Sequence, residues 1–509
     1  MPDYMFLLES RLSPEQRAAL ERVQELARLL EVNIYLTGGA VRDLISGQPI
    51  RDLDFTVEGN PVRMVRELEK GGAKIAWESE KLRHYEIAFA GDADGSISAA
   101  RDDVYEKPGA KPEYRFAGIM EDLRRRDFSI NAIAISLNAQ SRGLLLDPTN
   151  GLADLERQEV RALSIHAFTN QPIRLMRILR YSARMGFNLE SRTQEWFDLA
   201  VERGLNENLE GAEVGHELRA VAREDNPVAA LKLWETHGLL EAIHPNLQRR
   251  KPDYDSLNKL ARVRGNYLAV GLRPRLHLAV TSYTLGRLKS REMAAALRNL
   301  EYRSAEIDAI GSLISEAQKV VKVLKGRKTN APRDAYAYLA SLPSETLAFI
   351  EVELPNPRAL SKIRNYIQKW RPLRMALPVA ELDALGIPRG PKFDKILDQL
   401  FDLQLRGKAK TPEDRTRILR DLAGIKDELK KKPEKEKKKG KGGEAPVATA
   451  KAPGGKPAEK ASDAASESGH HAAAAIGAGA RAKHEKAAAA RRAENSKSKP
   501  HHSKKSRTR

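Results

Sequence analysis

The sequence predicts an α+β chain: a head of about 150 residues built on a small mixed sheet, a long all-helical continuation, and a disordered basic C-terminus. Three observations carry this. Short runs that alternate apolar and polar residues, the period of a half-buried strand, are confined to the head. Beyond about residue 150 the apolar spacing is helical almost throughout, broken by turns such as Asp225-Asn226-Pro227 and Leu354-Pro355-Asn356-Pro357. From Lys430 onward, Lys, Ala, Gly, Ser and Pro dominate and large apolar side chains almost vanish, so this stretch cannot offset its ordering entropy.

Taken in order, residues 14–31 read as an amphipathic helix, with Ser13 as N-cap and Pro14 at the first helical position. A strand over 33–37 runs into Gly38-Gly39, and a helix is expected from about Ala40 to Gly47. Residues 51–57 alternate, with Leu53, Phe55 and Val57 on one face and Asp52, Asp54 and Thr56 on the other. Residues 84–89 alternate again, with Tyr85, Ile87 and Phe89 opposite Glu86. Residues 91–118, rich in Gly, Asp, Lys and Pro, read as a mobile loop, and Ile130 to Leu137 as a buried strand.

Composition narrows the function. The 509 residues include no cysteine, which excludes disulfides, thiolate metal sites and a cysteine nucleophile. The start lacks a signal-like apolar region and no apolar run approaches the ~18 residues of a membrane span, so the expectation is a soluble, cytoplasmic chain without a membrane partner. The formal charge is +19, but residues 430–509 hold 22 Lys/Arg against 8 Asp/Glu, which leaves only +5 for residues 1–429. The basic tail reads equally as a loose arm attracted to RNA or as a solubilising segment.

The chemistry gathers in the head. Asp52 and Asp54, two apart on one strand, project both carboxylates from one face, a pair of hard oxygen ligands suited to Mg²⁺. Gly38-Gly39, between a strand and a helix start, leaves backbone N–H groups free to hold phosphates. Glu86 is a candidate third carboxylate. Three carboxylates holding two metals can activate a hydroxyl and stabilise a departing pyrophosphate.

These residues resemble a known family. Leu36-Thr37-Gly38-Gly39-Ala40-Val41-Arg42-Asp43, followed by Arg51-Asp52-Leu53-Asp54-Phe55, is similar to the first signature of the class II tRNA nucleotidyltransferase and bacterial poly(A) polymerase family. Glu121 to Ala132 (EDLRRRDFSINA) is similar to the second signature, and Asp147-Pro148-Thr149-Asn150-Gly151 with Asp154-Leu155 to the third. The resemblance implies a polymerase-β-like head (1–160), a helical neck that recognises the base (161–245), a helical body and tail that hold RNA (246–429), and the disordered end (430–509). It implies Mg²⁺ on Asp52 and Asp54, with Glu86 as a third carboxylate, and Gly38, Gly39 and Arg42 at the incoming nucleotide. Arg126 and Asp127 would lie at its ribose, with Asn131 on the strand just beyond. The implied reaction adds C and/or A from CTP or ATP to the 3′ end of tRNA. Poly(A) addition to other RNA ends, or RNA binding without catalysis, stay open beside it.

Two signatures depart from the family pattern. Where the family reads Glu-Asp-x-x-Arg, this chain has Asn170-Gln171-Pro172-Ile173-Arg174, so an amide replaces the template carboxylate. Gln171 can donate or accept, which is expected to weaken discrimination for C and A. Arg174, Arg177 and Arg180 follow at three-residue steps and are expected to form a basic strip facing phosphate and base. The family's Gly-Glu-Arg-x-x-x-Glu becomes Gly211-Ala212-Glu213-Val214-Gly215-His216-Glu217, which keeps the last Glu and loses the Arg.

Overall fold

Caps set the first two helices. Asp3 accepts from the N–H groups of Met5 and Phe6 at the start of α1 (Tyr4–Arg11), and Ser13 and Gln16 cap one another reciprocally at the start of α2 (Pro14–Leu29). In the computed structural model, residues 3–425 are described apart from Asp92, Asn208 and Lys410. The basic stretch 430–509 lies outside the described residues.

A seven-stranded sheet organises the head. Its strands are β1 (Ile34–Thr37), β2 (Leu53–Val57), β3 (Lys74–Ser79), β4 (His84–Ala88), β5 (Asp94–Ala99), β8 (Ala134–Ser136) and β9 (Leu145–Leu146), in the order β3-β4-β5-β2-β1-β8-β9. All neighbours are antiparallel except β2 and β5. Helix α3 (Gly39–Ile45) follows β1 and α4 (Val62–Lys70) follows β2. Leu53, Phe55 and Val57 are fully buried against the helices on one side, which leaves Asp54 and Thr56 on the opposite face, as the alternation predicts. On that second face Ile119 and Leu123 of α5 (Ile119–Arg124) pack on Tyr35 and Ala134 in a small separate core.

Two expectations fail. Residues 91–118 form β5 and a hairpin of β6 (Arg101–Val104) with β7 (Glu113–Phe116). The hairpin is polar on both faces and is held by charge: Arg101 donates to Asp103 at 3.0 Å, and Arg125 donates to the Arg101 carbonyl at 2.9 Å. The stretch 130–137 is strand only over β8; Ser129–Asn131 is a 3-10 turn instead.

Helix α6 (Gly151–Arg157) closes the head, and the short α7 (Ala167–Asn170) leads into α8 (Arg174–Met185), α9 (Ser191–Glu202), α10 (Gly211–Arg223) and α11 (Pro227–Thr236). One apolar core runs without interruption from Met5 in α1 to Ile367, so head and neck share it. Trp234 of α11 is fully buried, and its indole N–H donates to the Met176 carbonyl of α8 at 2.9 Å. Helix α10 lies against the 299–300 backbone so closely that a Cβ at Gly211 or Gly215 would collide with the carbonyls of Asn299 and Leu300. The residues from Leu377 to Leu422 form a second, smaller core. No helix among the described residues is long and apolar enough to cross a membrane.

Candidate active site

Strand β1 ends in a turn that only glycine adopts easily: Gly38 has φ +64° and ψ −126° and starts α3. The turn lies directly against the carboxylate of β2. A Cβ at Gly39 would stand 3.4 Å from Asp54 Oδ2, and one at Gly38 would stand 3.1 Å from an Arg126 nitrogen. Asp54 Oδ1 accepts from Ser96 Oγ at 2.8 Å. Burial pushes the Asp54 carboxyl above its ordinary range, while Ser96, Arg126 and Arg42 work against that shift. The Asp52 residue is exposed beside this turn, yet loss of surrounding water at its carboxyl and the neighbouring Asp54 charge push it up to about 6. Two adjacent carboxylates therefore share a place that favours neither charge.

Around them the guanidinium groups are fixed in series. Arg126 donates to buried Asp122, to Thr56 Oγ1 at 3.1 Å and to the Asn131 carbonyl at 3.1 Å. Arg42, almost wholly buried, donates to Asn131 Oδ1 at 2.7 Å and lies 5.0 Å from the Tyr181 ring centroid. Asn131 in turn donates to Asp127 at 3.2 Å. The third signature braces this turn from behind. Buried Asp154 accepts from Ser129 Oγ, Asp147 caps the N–H groups of Gly151 and Leu152, and a Cβ at Gly151 would meet the Ser129 carbonyl. Gly151→Ala is therefore expected to cost about 2 kcal/mol in urea unfolding and to displace Asn131 from Arg42.

The neck supplies the other wall. Arg177 donates to Asp127 at 3.1 Å and to Glu217 of α10 at 2.7 Å. Arg180 donates to Glu217 at 2.9 Å and to Glu224 at 3.3 Å, and stacks on Tyr181. Although burial opposes it, Arg180 and Arg177 hold the Glu217 carboxyl down at about 2. Arg174, Arg177 and Arg180 are thus not an open strip. Arg180 is buried and spent on two carboxylates, which makes it a brace and not a nucleotide ligand.

Arg174 is different. Its one side-chain hydrogen bond among the described residues runs from Nε to Gln171 Oε1 at 3.1 Å, which leaves its terminal nitrogens available. Gln171 Nε2 donates to the Tyr105 hydroxyl at 3.1 Å, and Asn170 Oδ1 accepts from the Gly109 N–H at 2.9 Å. The amide that replaces the template carboxylate therefore still pairs with Arg174, and the β6–β7 hairpin covers it.

The structure brings together Gly38, Gly39, Arg42, Asp52, Asp54, Arg126, Asp127, Asn131, Gln171, Arg174 and Arg177. It does not bring Glu86. That residue shares the face of Asp54 but lies two strands away, about 10 Å at ordinary strand spacing, with Ser96 between them. Among the described residues no three His, Asp or Glu gather as a metal cage. Sequence reasoning missed Ser96, Asp122 and Tyr105. Asp122 was inside the second signature, but nothing local marks Ser96 or Tyr105.

The family model of the poly A polymerase head domain matches residues 34–161. An A-adding tRNA nucleotidyltransferase of Halalkalibacterium halodurans is 28% identical over 440 residues, covering 83% of this chain and 96% of that protein. One from Geobacter sulfurreducens is also 28% identical over 440 residues, 83% of this chain but 48% of that protein. A CC-adding enzyme of Deinococcus radiodurans is 33% identical over 176 residues, 35% of this chain and 47% of that protein. The chain thus spans about half the length of the Geobacter relative and nearly all of the Halalkalibacterium one. The matched head, with its glycine turn against an aspartate pair, and the relatives along the helical part agree in kind: the chain is similar to class II tRNA nucleotidyltransferases in both its head and its helical continuation.

Proposed function

We propose that the chain transfers a nucleotide to the 3′ end of tRNA without a nucleic-acid template, with ATP as the preferred donor and pyrophosphate as the leaving group. The observation that carries this reading is the convergence of the Gly38-Gly39 turn, the Asp52–Asp54 pair and the fixed guanidinium of Arg126 within one small space. The preference for A follows the names of the two A-adding relatives, one of them matched over almost its whole length.

Asp52 and Asp54 fit Mg²⁺: both are hard oxygen donors, and both are raised by surroundings that a divalent cation would relieve. Mg²⁺ bound there would supply Lewis-acid stabilisation of charge on the phosphate oxygens. The remaining work falls to the chain. The glycine turn lets the triphosphate approach the backbone and Arg126 offsets its charge, while Arg42, buried and paired with Asp43, holds Asn131 so that the Asp127–Asn131 bridge orients the ribose. Arg174 and Gln171 present donors and one shared acceptor to the base edge. Positioning of this kind accounts for much of the acceleration in such a displacement.

The test is transfer of single labelled nucleotides, with Mg²⁺, to tRNAs ending before the first C, after CC and after CCA. Addition of one A to the CC end supports the reading; addition of C, C and A would show the full CCA reaction, and no incorporation would overturn it. In the same assay Gln171→Ala is expected to cost discrimination between ATP and UTP by roughly 1–3 kcal/mol, because Arg174 then loses the partner that fixes its plane.

A further inference from the structure

The face of the sheet that carries Asp54 continues beyond the site. In register, Asp54 of β2 pairs with Ser96 of β5, Ser96 with Glu86 of β4, and Glu86 with Trp77 of β3. Four side chains thus stand in one row, about 14 Å from end to end at ordinary strand spacing. Trp77 belongs to the row because of a bulge. Ile75 pairs with Ile87 and Trp77 with Glu86, so Ala76 is the extra residue. Regular alternation would set Trp77 opposite Tyr85, on the core face. The bulge turns the indole to the other side, where it is 45% exposed.

Helix α10 runs opposite this row. His216, Arg219 and Arg223, on one helical face, enclose with Ala76, Trp77 and Glu86 a cleft of about 240 Å³. Arg303 donates to the Ala76 carbonyl and pins the bulge to the helical part. Arg219 is already engaged, stacked 3.8 Å over Tyr302 and donating to the Glu301 carbonyl at 2.8 Å. The Arg223 guanidinium has no hydrogen-bond or ion-pair partner among the described residues, and it lies near enough to Asp52 to favour that group's ionisation.

An in-line displacement requires the nucleophile to arrive opposite the leaving group. Gly38, Gly39, Arg42 and Arg126 lie toward β1 and β8, so the other reactant must come from the β5 side, which leads to this cleft. We infer that the cleft between β3–β4 and α10 seats the 3′-terminal nucleotide of the acceptor RNA, its base stacked on Trp77 and its backbone phosphate on Arg223. Glu86, an acceptor only, repels phosphate from the floor and leaves a ribose hydroxyl or base amino group as its partner. This inference rests on the transfer reaction proposed above.

The full chain, with Trp77→Ala, Trp77→Phe and Arg223→Ala, tests it through two readouts. One is affinity for a short single-stranded RNA ending in CC, measured without nucleotide; the other is the separate KM for acceptor and for ATP. Trp77→Ala is expected to weaken RNA binding and raise the acceptor KM about tenfold, with most of the loss restored by Phe. Arg223→Ala should do likewise and reduce the salt slope of binding by about one. The KM for ATP should not move in Trp77→Ala, whose side chain stands three strands from Asp54. Unchanged RNA affinity in Trp77→Ala and Arg223→Ala, or a shift confined to the KM for ATP, would overturn the cleft assignment. A wild-type chain that transfers no nucleotide overturns the underlying reaction, whereas one that transfers normally while Trp77→Ala keeps its acceptor KM overturns the cleft alone.

Discussion

Asp52→Asn is expected to remove nucleotide transfer, by on the order of 10³-fold, and at the same time to raise the melting temperature of the metal-free protein at neutral pH. Both effects have one origin. Burial and Asp54 raise the Asp52 carboxyl to about 6, so at pH 7 the folded state carries a charge that its surroundings disfavour. The sign follows from linkage. A carboxyl whose folded pKa exceeds its unfolded value binds its proton more tightly when folded, so its contribution to stability falls as pH rises from about 4 through 6. The asparagine variant lacks that loss. Its gain over wild type should therefore be present above pH 6 and shrink as the pH approaches 4. Thermal melts at several pH values, with and without Mg²⁺, check this, since Mg²⁺ should stabilise the wild type and not the variant. A variant that is both inactive and less stable at pH 7 would show that Asp52 serves the fold and not a cation.

The second large effect is at Glu217. Glu217→Ala is expected to destabilise the chain by about 3 kcal/mol, because buried Arg180 keeps only Glu224 and half-buried Arg177 only Asp127 once their shared counter-charge is gone. Here the sign is opposite. Glu217 sits at about 2, well below its ordinary value, so its contribution is complete above about pH 4.5 and is lost as pH falls toward 2. The gap between wild type and variant, read from urea midpoints, should close on acidification. Arg177 also loses the group that aims it at Asp127, so the KM for nucleotide should rise in whatever fraction stays folded.

Much of the head was readable because burial is one-sided there. Leu53, Phe55 and Val57 against Asp54 and Thr56 is a period-2 pattern with a buried face, and the glycine turn and α3 follow at the expected place. The β6–β7 hairpin was not readable, because its strands are paired through backbone and charge with neither face apolar. Glu86 illustrates a different limit: alternation identifies the face of a strand but not its distance from another strand in the sheet, and β5 intervenes. Arg180 misled for a third reason. Its partners Glu217 and Glu224 lie 37 and 44 residues further on, where helical spacing says nothing about which face will meet it. The substitution at Gln171 was visible, but its consequence depended on Tyr105, from a segment without any apolar rhythm.

Helix α10 presents Glu217 to the arginines of the nucleotide wall and, on another face, Arg219 and Arg223 to the cleft beside Trp77. Gly211 and Gly215 fix it against the carbonyls of Asn299 and Leu300, with no space to slide. The spacing between the two walls is thus written into a single rod. In evolutionary terms the two walls are pleiotropic: a substitution that retunes one by moving α10 moves the other by the same amount. Side chains outside α10, such as the amide at position 171, can be exchanged while the rod stays in place.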